Sequence, residues 1–429
     1  MKKIIAIAFF AASVIACQNA NEKAKENNTT PADTVATKVE EVNLPEPYAT
    51  KSVSNNSKII GWDKNATPTA PEGFMVSNYA DSFDHPRWIY VADNGDVFVA
   101  ESNSPHSALE KVTGKNKSAD RISLLRDANG DGIAETRTVF LKGLNMPFGM
   151  LIIGDNFYVA NTDGVVQYPY KAGSNSITAQ GKKIVSLPAG PRHWTRNIVT
   201  NAAKNKIYIA IGSSSNVAED GIEKEARRAN ILEVNLDGTG EKIYASGLRN
   251  PVGMDWAPGT GTLWTAVNER DELGDELVPD YLTSVKEGGF YGWPYSYFGQ
   301  HEDPRLKDKN RPDLVKQALV PDVSLGSHTA SLGLTFYKAN AFPEKYQGGA
   351  FIGQHGSWNR STLSGYKVVY VPFKNGKPAG KQEDFLTGFI ADGAKSEVHG
   401  RPVGVAVLKD GSLLVADDGA NILWRVSKK

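Results

Sequence analysis

YASGLRNPVGMDWAPGTGTLWTAVNERDELGDELVPDYLTSVKEGGFYGWP, residues 244–294, is the stretch whose reading decides the fold. A cation and an amide, Arg249 and Asn250, precede Pro251, which opens an apolar run. A Pro-Gly-rich turn at 258–261 leads to a second apolar run ending at Val267. The acidic loop Asn268–Glu276 follows, and aromatic-rich Phe290–Pro294 closes the stretch. Two short runs rich in aromatic and aliphatic residues around such a turn read as a pair of antiparallel strands.

The same unit recurs along the chain. It appears as PRWIYVADNGDVFVAE (86–101), PFGMLIIGDNFYVAN (147–161) and TRNIVTNAAKNKIYIAIG (195–212). It returns as PVGMDWAPGTGTLWTAV (251–267), SLGLTFYKANAFPEKYQGGAFIGQ (331–354) and PVGVAVLKDGSLLVAD (402–417). The second strands are expected to end at Glu101, Asn161, Ile211, Val267, Gln354 and Asp417, spaced 50 to 63 residues apart save one gap of 87. Third strands can be drawn after most copies, as in GVVQYPY, NILEVNL, YKVVYVPF and ILWRVS. A long unit repeated six times, each of four short strands, predicts an all-β fold, a six-bladed β-propeller of four-stranded antiparallel blades. Phe74–Asn78 is the strand expected to join the last blade and close the ring.

Composition fits this reading. The chain has 429 residues, 41 glycines and 22 prolines, which favour short strands and turns over long helices. Its 48 basic and 48 acidic residues balance to zero net charge, which argues against a nucleic-acid surface or a polybasic membrane patch. Residues 1–17 start Met-Lys-Lys, run apolar from Ile4 to Ala16 and end on Cys17, the sole cysteine. That pattern reads as a lipoprotein signal peptide, with Cys17 lipidated at the periplasmic face of a bacterial membrane and no other membrane contact. Residues 18–57, polar and without apolar periodicity, are expected to be a flexible tether, and 58–429 the propeller domain.

Polar groups gather where the first strands of the repeats begin. They include His85-Pro-Arg87, Arg192-His193-Trp-Thr-Arg196, Arg249-Asn250, His328, His355 through Arg360, and His399-Gly-Arg401. Five of the seven histidines fall at these places. In a propeller they converge on one mouth of the channel, and clustered guanidinium groups there call for a polycarboxylate ligand. The loop Asn268–Glu276 offers carboxylate, amide and backbone oxygens that suit Ca²⁺, or forms a solvated acidic turn. Asp127, Asn129 and Asp131 open a calcium-loop pattern, but Thr138 stands where its closing glutamate belongs, so a lone structural calcium and a plain turn both remain open.

These motifs together resemble the glucose/sorbosone dehydrogenase family, the soluble quinone-dependent sugar dehydrogenases, in its sorbosone and pyranose branch. The matching stretches are HWTR (193–196), GLRNPVG (247–253), NERDELGDEL (268–277), GGFYGWPY (288–295), GQHGSWNRS (353–361) and HGRPVGV (399–405). The resemblance implies pyrroloquinoline quinone (PQQ) and Ca²⁺ as cofactors, oxidation of aldose-type sugars or sorbosone-like aldehydes, and an external quinone or cytochrome acceptor. It implies His193 as general base and Arg249 as the group polarising the quinone oxygen. It further implies that Asn250, Asn268, Arg196, Arg360, His399 and Arg401 hold the cofactor, and that backbone oxygens of Glu269 and Arg270 hold the Ca²⁺. Where better-known relatives carry an aspartate that orients the base, this chain has Ser213, with Glu219 and Asp220 the nearby acids. The other readings of the same repeats are a non-catalytic propeller binding glycans or a protein, and a metal-dependent lactonase.

Overall fold

The computed structural model describes residues 42–104, 118–190 and 192–429. The signal segment and Cys17 lie outside the described residues, as do positions 18–41 of the expected tether. No helix among the described residues is long and apolar enough to cross a membrane.

Strands dominate the described chain. Five four-stranded sheets and one of five strands account for most of them. The first sheet is Pro86–Val91, Val97–Glu101, Arg121–Arg126 and Thr136–Lys142, and the second runs from Met150–Ile153 to Lys182–Ser186. The third starts at Arg196–Thr200, the fourth at Pro251–Trp256, the fifth at Ser331–Phe336 and the sixth at Pro402–Val407. Within each, consecutive strands pair antiparallel, as the repeat predicts. Each second-strand end named from the sequence is the last residue of a strand. Phe74–Ala80 supplies the outer strand of the sixth sheet, pairing with Ile422–Lys428 at the far end of the chain.

The core explains why second strands such as Val97–Glu101 and Leu263–Val267 are buried on both faces. Apolar clusters sit between consecutive sheets. Phe98, Phe140, Phe157 and Val166 join the first sheet to the second, and Tyr158, Val165, Ile207 and Leu232 join the second to the third. The sixth sheet meets the first through Leu414, Ala416, Ile89, Val97 and Val99. First strands touch their neighbours in chain order, and Pro402–Val407 touches Pro86–Val91. They surround a cavity of about 1020 Å³ lined by residues from all six, among them Trp88, Met150, Ile198, Met254, Leu334 and Val405.

That convergence leaves little room for side chains. A Cβ at Gly333 would lie 2.0 Å from the carbonyl oxygen of Val403, and one at Gly404 would lie 2.7 Å from that of Arg87. The glycine at the third position of these first strands therefore lets one sheet's first strand touch the next.

The 87-residue spacing is an insertion between Pro279–Ser284 and Val323–Ser327 of the fourth sheet. Its Gly289–Phe290 adds a parallel strand to the third sheet beside Lys242–Ser246, and a four-residue helix, Pro312–Val315, follows.

The tether expectation needs correction over 42–57. Val42 and Leu44 pack on the cluster between the third and fourth sheets, and the backbone of Tyr48 and Asn55 donates to Leu273 and Trp358. Backbone bonding to loop carbonyls, absent from any hydropathy pattern, holds this polar segment down.

Overpacking at the strand crossing sets the first prediction. Gly333→Ala is expected to lower unfolding free energy by about 1–3 kcal/mol in chemical denaturation. Gly393→Ala, whose added Cβ has its nearest neighbour 4.0 Å away, should shift it by less than about 0.5 kcal/mol.

Candidate functional site

The turn before the third sheet carries His193 in the left-handed region, φ 41°, a conformation costing a non-glycine residue on the order of 1–3 kcal/mol. Two arginines hold it there. Arg196 donates to the carbonyls of His193 (2.7 Å), Thr195 and Pro188. Arg228 donates to those of Gly212, Ser213, Arg192 and Pro188. Arg196, expected from the resemblance to hold the cofactor, is here a clamp on this turn. Burial, with Arg228 beside it, pushes its guanidinium down to about 9.

The His193 ring is fixed at one nitrogen. Nδ1 lies 2.8 Å from the Ser213 carbonyl and 2.9 Å from its Oγ, whose own proton goes to the Ser215 carbonyl. A carbonyl only accepts, so Nδ1 carries the hydrogen. Burial, reinforced by Arg249, holds the imidazole pKa well below its ordinary value, so the ring is neutral and Nε2 keeps a bare lone pair. Nε2 has no hydrogen-bond partner among the described residues. No acid among the described residues bonds this ring: Glu219 takes Arg192 and the amides of Asn216 and Val217 instead.

Asn250 stands against His193. A Cβ at Gly212 would meet Asn250 Oδ1 at 2.2 Å and His193 Cβ at 2.5 Å. Asn250 Oδ1 is buried with no donor. Next to it, Arg249 donates to the Glu269 carbonyl (2.6 Å), the Asn268 carbonyl (3.3 Å) and Asn216 Oδ1 (2.9 Å). Its other carboxylate-side partner is Asp271, 3.3 Å away, which also faces His328 Nδ1 at 3.3 Å. The Glu269 carbonyl expected to face a calcium ion therefore accepts from Arg249 in this structure.

A second group closes the mouth across the first, fifth and sixth sheets. Asp418 pairs with Arg87 and accepts from His355 Nε2 at 2.7 Å. Burial, helped by Arg401, pushes the His355 imidazole down to about 3 despite Asp418. Burial opposes ionisation of Asp418, yet His355, Arg87 and Arg401 together hold it well below the usual carboxylate range. Arg401 donates to the carbonyls of His355 (3.0 Å) and Gly356 (3.1 Å) and has no carboxylate bonded to its side chain. The Arg87 guanidinium lies 5.4 Å from the Trp194 ring centroid, so contacts run unbroken from the His193 turn to Arg401.

Other expected residues sit elsewhere. Arg360 is engaged by the Asp275 carbonyl and Glu276, and His399 donates from Nδ1 to Gly61 while stacking on Trp62. Both hold loops at the rim. Asp127 and Asp131 lie in the turn between the last two strands of the first sheet, where Glu135 brings a third carboxylate within 4.8 Å and Asn129 donates to Asp131 at 3.1 Å. Asp127 already accepts from the amides of Gly130 and Gly132. Arg270, named for its backbone oxygen, has a wholly buried side chain paired with Glu269 (2.9 Å) and Asp303 (3.1 Å). Sequence reading missed Asp418, Asn216 and Arg228, and it placed Asp271 only among the carboxylates of the acidic loop. The Asp417-Asp418 doublet after a second strand was the one available signal.

Removing Arg270 strands the buried Glu269 carboxylate, while Asp303 keeps Arg305 at 2.8 Å. Arg270→Leu should destabilise by about 3–5 kcal/mol in chemical denaturation, and Arg360→Leu, with its exposed partner Glu276, by no more than about 1 kcal/mol.

Comparison with known proteins follows this geometry. A protein of Borreliella burgdorferi, described as "Uncharacterized protein", is 29% identical over 377 residues, 84% of this chain and 91% of that one. A pyrroloquinoline quinone-dependent sugar dehydrogenase of Hypocrea jecorina is 21% identical over 256 residues, 54% of this chain and 57% of that protein, so the match spans little over half its length. The structure of the holo form of the pyranose dehydrogenase PQQ domain from Coprinopsis cinerea superposes with a TM-score of 0.69 at 19% identity, over 86% of this chain and 98% of that one; this likeness carries the fold. The resemblance read from the motifs, to the soluble quinone-dependent sugar dehydrogenases, is the one these named relatives share. A family model matches residues 67–418, and the chain belongs to that family, described as Domain of unknown function (DUF7133).

Proposed function

We propose that the chain is a dehydrogenase of sugars, dependent on PQQ and Ca²⁺, built as a closed six-bladed propeller. The six sheets, the inter-sheet clusters and the shared central cavity support that architecture. One observation carries the chemistry: a neutral histidine with a fixed tautomer, Nε2 bare, beside a buried arginine and a buried amide oxygen without a donor.

The residues fit an anionic ligand with its own N–H or O–H groups. Asn250 Oδ1 lacks a donor, and the Arg401 side chain is bonded only to carbonyls. Arg401, Arg249 and Asn250 would hold the quinone, with Asn268 beside them; backbone oxygens of Glu269 and Arg270 would hold Ca²⁺, the former in place of its bond to Arg249. When bound, the quinone supplies a two-electron acceptor and the ion a Lewis acid.

The chain's part is proton handling and orientation. His193 Nε2 takes the proton of the sugar hydroxyl, while Nδ1–H stays on the Ser213 carbonyl, so the ring cannot rotate away. Burial keeps that base neutral, and the positive charge of Arg249 beside it adds to the effect. Sorbosone-like aldehydes, an external electron acceptor, and export with a lipid anchor at Cys17 complete the proposal.

Reconstitution with PQQ and Ca²⁺, followed by an aldose assay with a dye acceptor, tests it. Turnover is expected, and His193→Ala should lower kcat by about 10²–10⁴-fold. A base with a depressed pKa loses activity only when pH falls through that lowered value. The acid limb of the kcat/KM profile should therefore have its midpoint clearly below the ordinary histidine value of about 6.5. Absence of both turnover and cofactor absorbance in the reconstituted protein would overturn the assignment.

A further inference from the structure

We infer that residues 48–62, which precede the family-matched region 67–418, form a strap that positions the ligand-holding side of the mouth, with Trp62 as its positioning residue. For its final step the inference rests on the function proposed above.

The strap crosses the rims of three sheets. At its start the Tyr48 amide donates to Leu273, and Thr50 Oγ1 accepts from Asp275 N at 2.7 Å, both on the acidic loop. In the middle, Ser52 and the Val53 carbonyl bond the side chain of Asn359, whose Oδ1 also accepts from Glu272 N. Asn55 reaches Trp358, Ser361 and Ser396. Lys58–Ile59 then pairs parallel with Glu397–Val398, and Ile60 N continues to Val398 O at 2.8 Å. One extended segment thus joins the acidic loop of the fourth sheet, the 358–361 loop of the fifth and the turn before the sixth.

The strap ends where it has the most effect. The Gly61 carbonyl accepts from His399 Nδ1 at 2.7 Å, and the Trp62 ring stacks on His399 with centroids 4.7 Å apart and planes 23° apart. Trp62 also packs edge-on against Phe389 and Trp424. Its Nε1 donates to Asp417 Oδ2 at 3.0 Å, an oxygen that also accepts from Trp424 Nε1 at 3.2 Å. Asp417 is fully buried, and its other oxygen accepts from the backbone of Arg401 (2.7 Å) and Ala420 (3.0 Å). Trp62 therefore helps hold the carboxylate that holds the Arg401 backbone, and the half-buried Arg401 guanidinium bonds only the carbonyls of His355 and Gly356 among the described residues. A buried carboxylate that loses a donor is costly, and its remaining partners rearrange to compensate.

The test uses the full chain with Trp62→Phe, which keeps the stack and loses the N–H, and Trp62→Ala, which loses both. Amide hydrogen exchange without cofactor is read first. Faster exchange at Arg401 and Ala420 is expected, graded from Phe to Ala, while the second sheet stays unchanged. Titration with PQQ and Ca²⁺ should then show affinity weakened about threefold for Phe and at least tenfold for Ala. Unchanged exchange at Arg401 and Ala420 overturns the strap, whatever the ligand. Faster exchange with unchanged quinone affinity, or a lowered Tm alone, reduces Trp62 to packing and overturns its positioning role. A wild-type protein that binds no quinone overturns the function proposed above and this last step with it, while the exchange data still decide whether the strap holds Arg401.

Discussion

Six first strands brought within van der Waals reach around one cavity are the constraint on which everything else depends. Where Gly333 faces the Val403 carbonyl there is no space for a methyl group. The turns preceding those strands are consequently drawn together as well. Side chains separated by two or three hundred residues, such as Arg87 and Asp418, become direct partners. Polar residues in those turns cannot all reach water, and the chain must satisfy them internally.

It does so mainly with backbone carbonyls. Arg196, Arg228, Arg249 and Arg401 each donate to main-chain oxygens of neighbouring turns. A guanidinium has five N–H donors in a rigid plane, so one such group can tie several loops at once. The arrangement sets loop geometry and leaves positive charge in a dry place. Burial first, and that charge second, keep His193 and His355 neutral at pH values where free imidazoles begin to protonate. Packing, electrostatics and the availability of the His193 lone pair follow from the same few side chains.

Much of this was legible in the sequence. The recurring unit of polar or proline entry, apolar run, turn and second apolar run located the strand pairs, because each sheet needs the same short strands at the same spacing. His193, Arg249 and Asn250 could be read for a similar reason: they sit directly before recurring strands. What a side chain does with its hydrogen bonds could not be read. Arg196 and Arg360 have the same residue type and a comparable placement to Arg401, yet one clamps a turn and the other a surface loop. Residues 42–57 are compositionally tether-like, and only their pairing with distant loop backbone shows them docked. The role of Asp418 could not be read from its acidic doublet alone, because its partners, Arg87 and His355, are far away in the chain.

The insertion in the fourth sheet has an effect beyond explaining a long repeat. Its Gly289–Phe290 segment lies along the free side of Lys242–Ser246, the outermost original strand of the third sheet. An uncovered strand there would present unpaired amides and carbonyls, together with half-exposed Ile243, to any other extended chain. With part of that border occupied by the protein's own backbone and Lys242 at its end, the third sheet is guarded against edge-to-edge aggregation at high concentration.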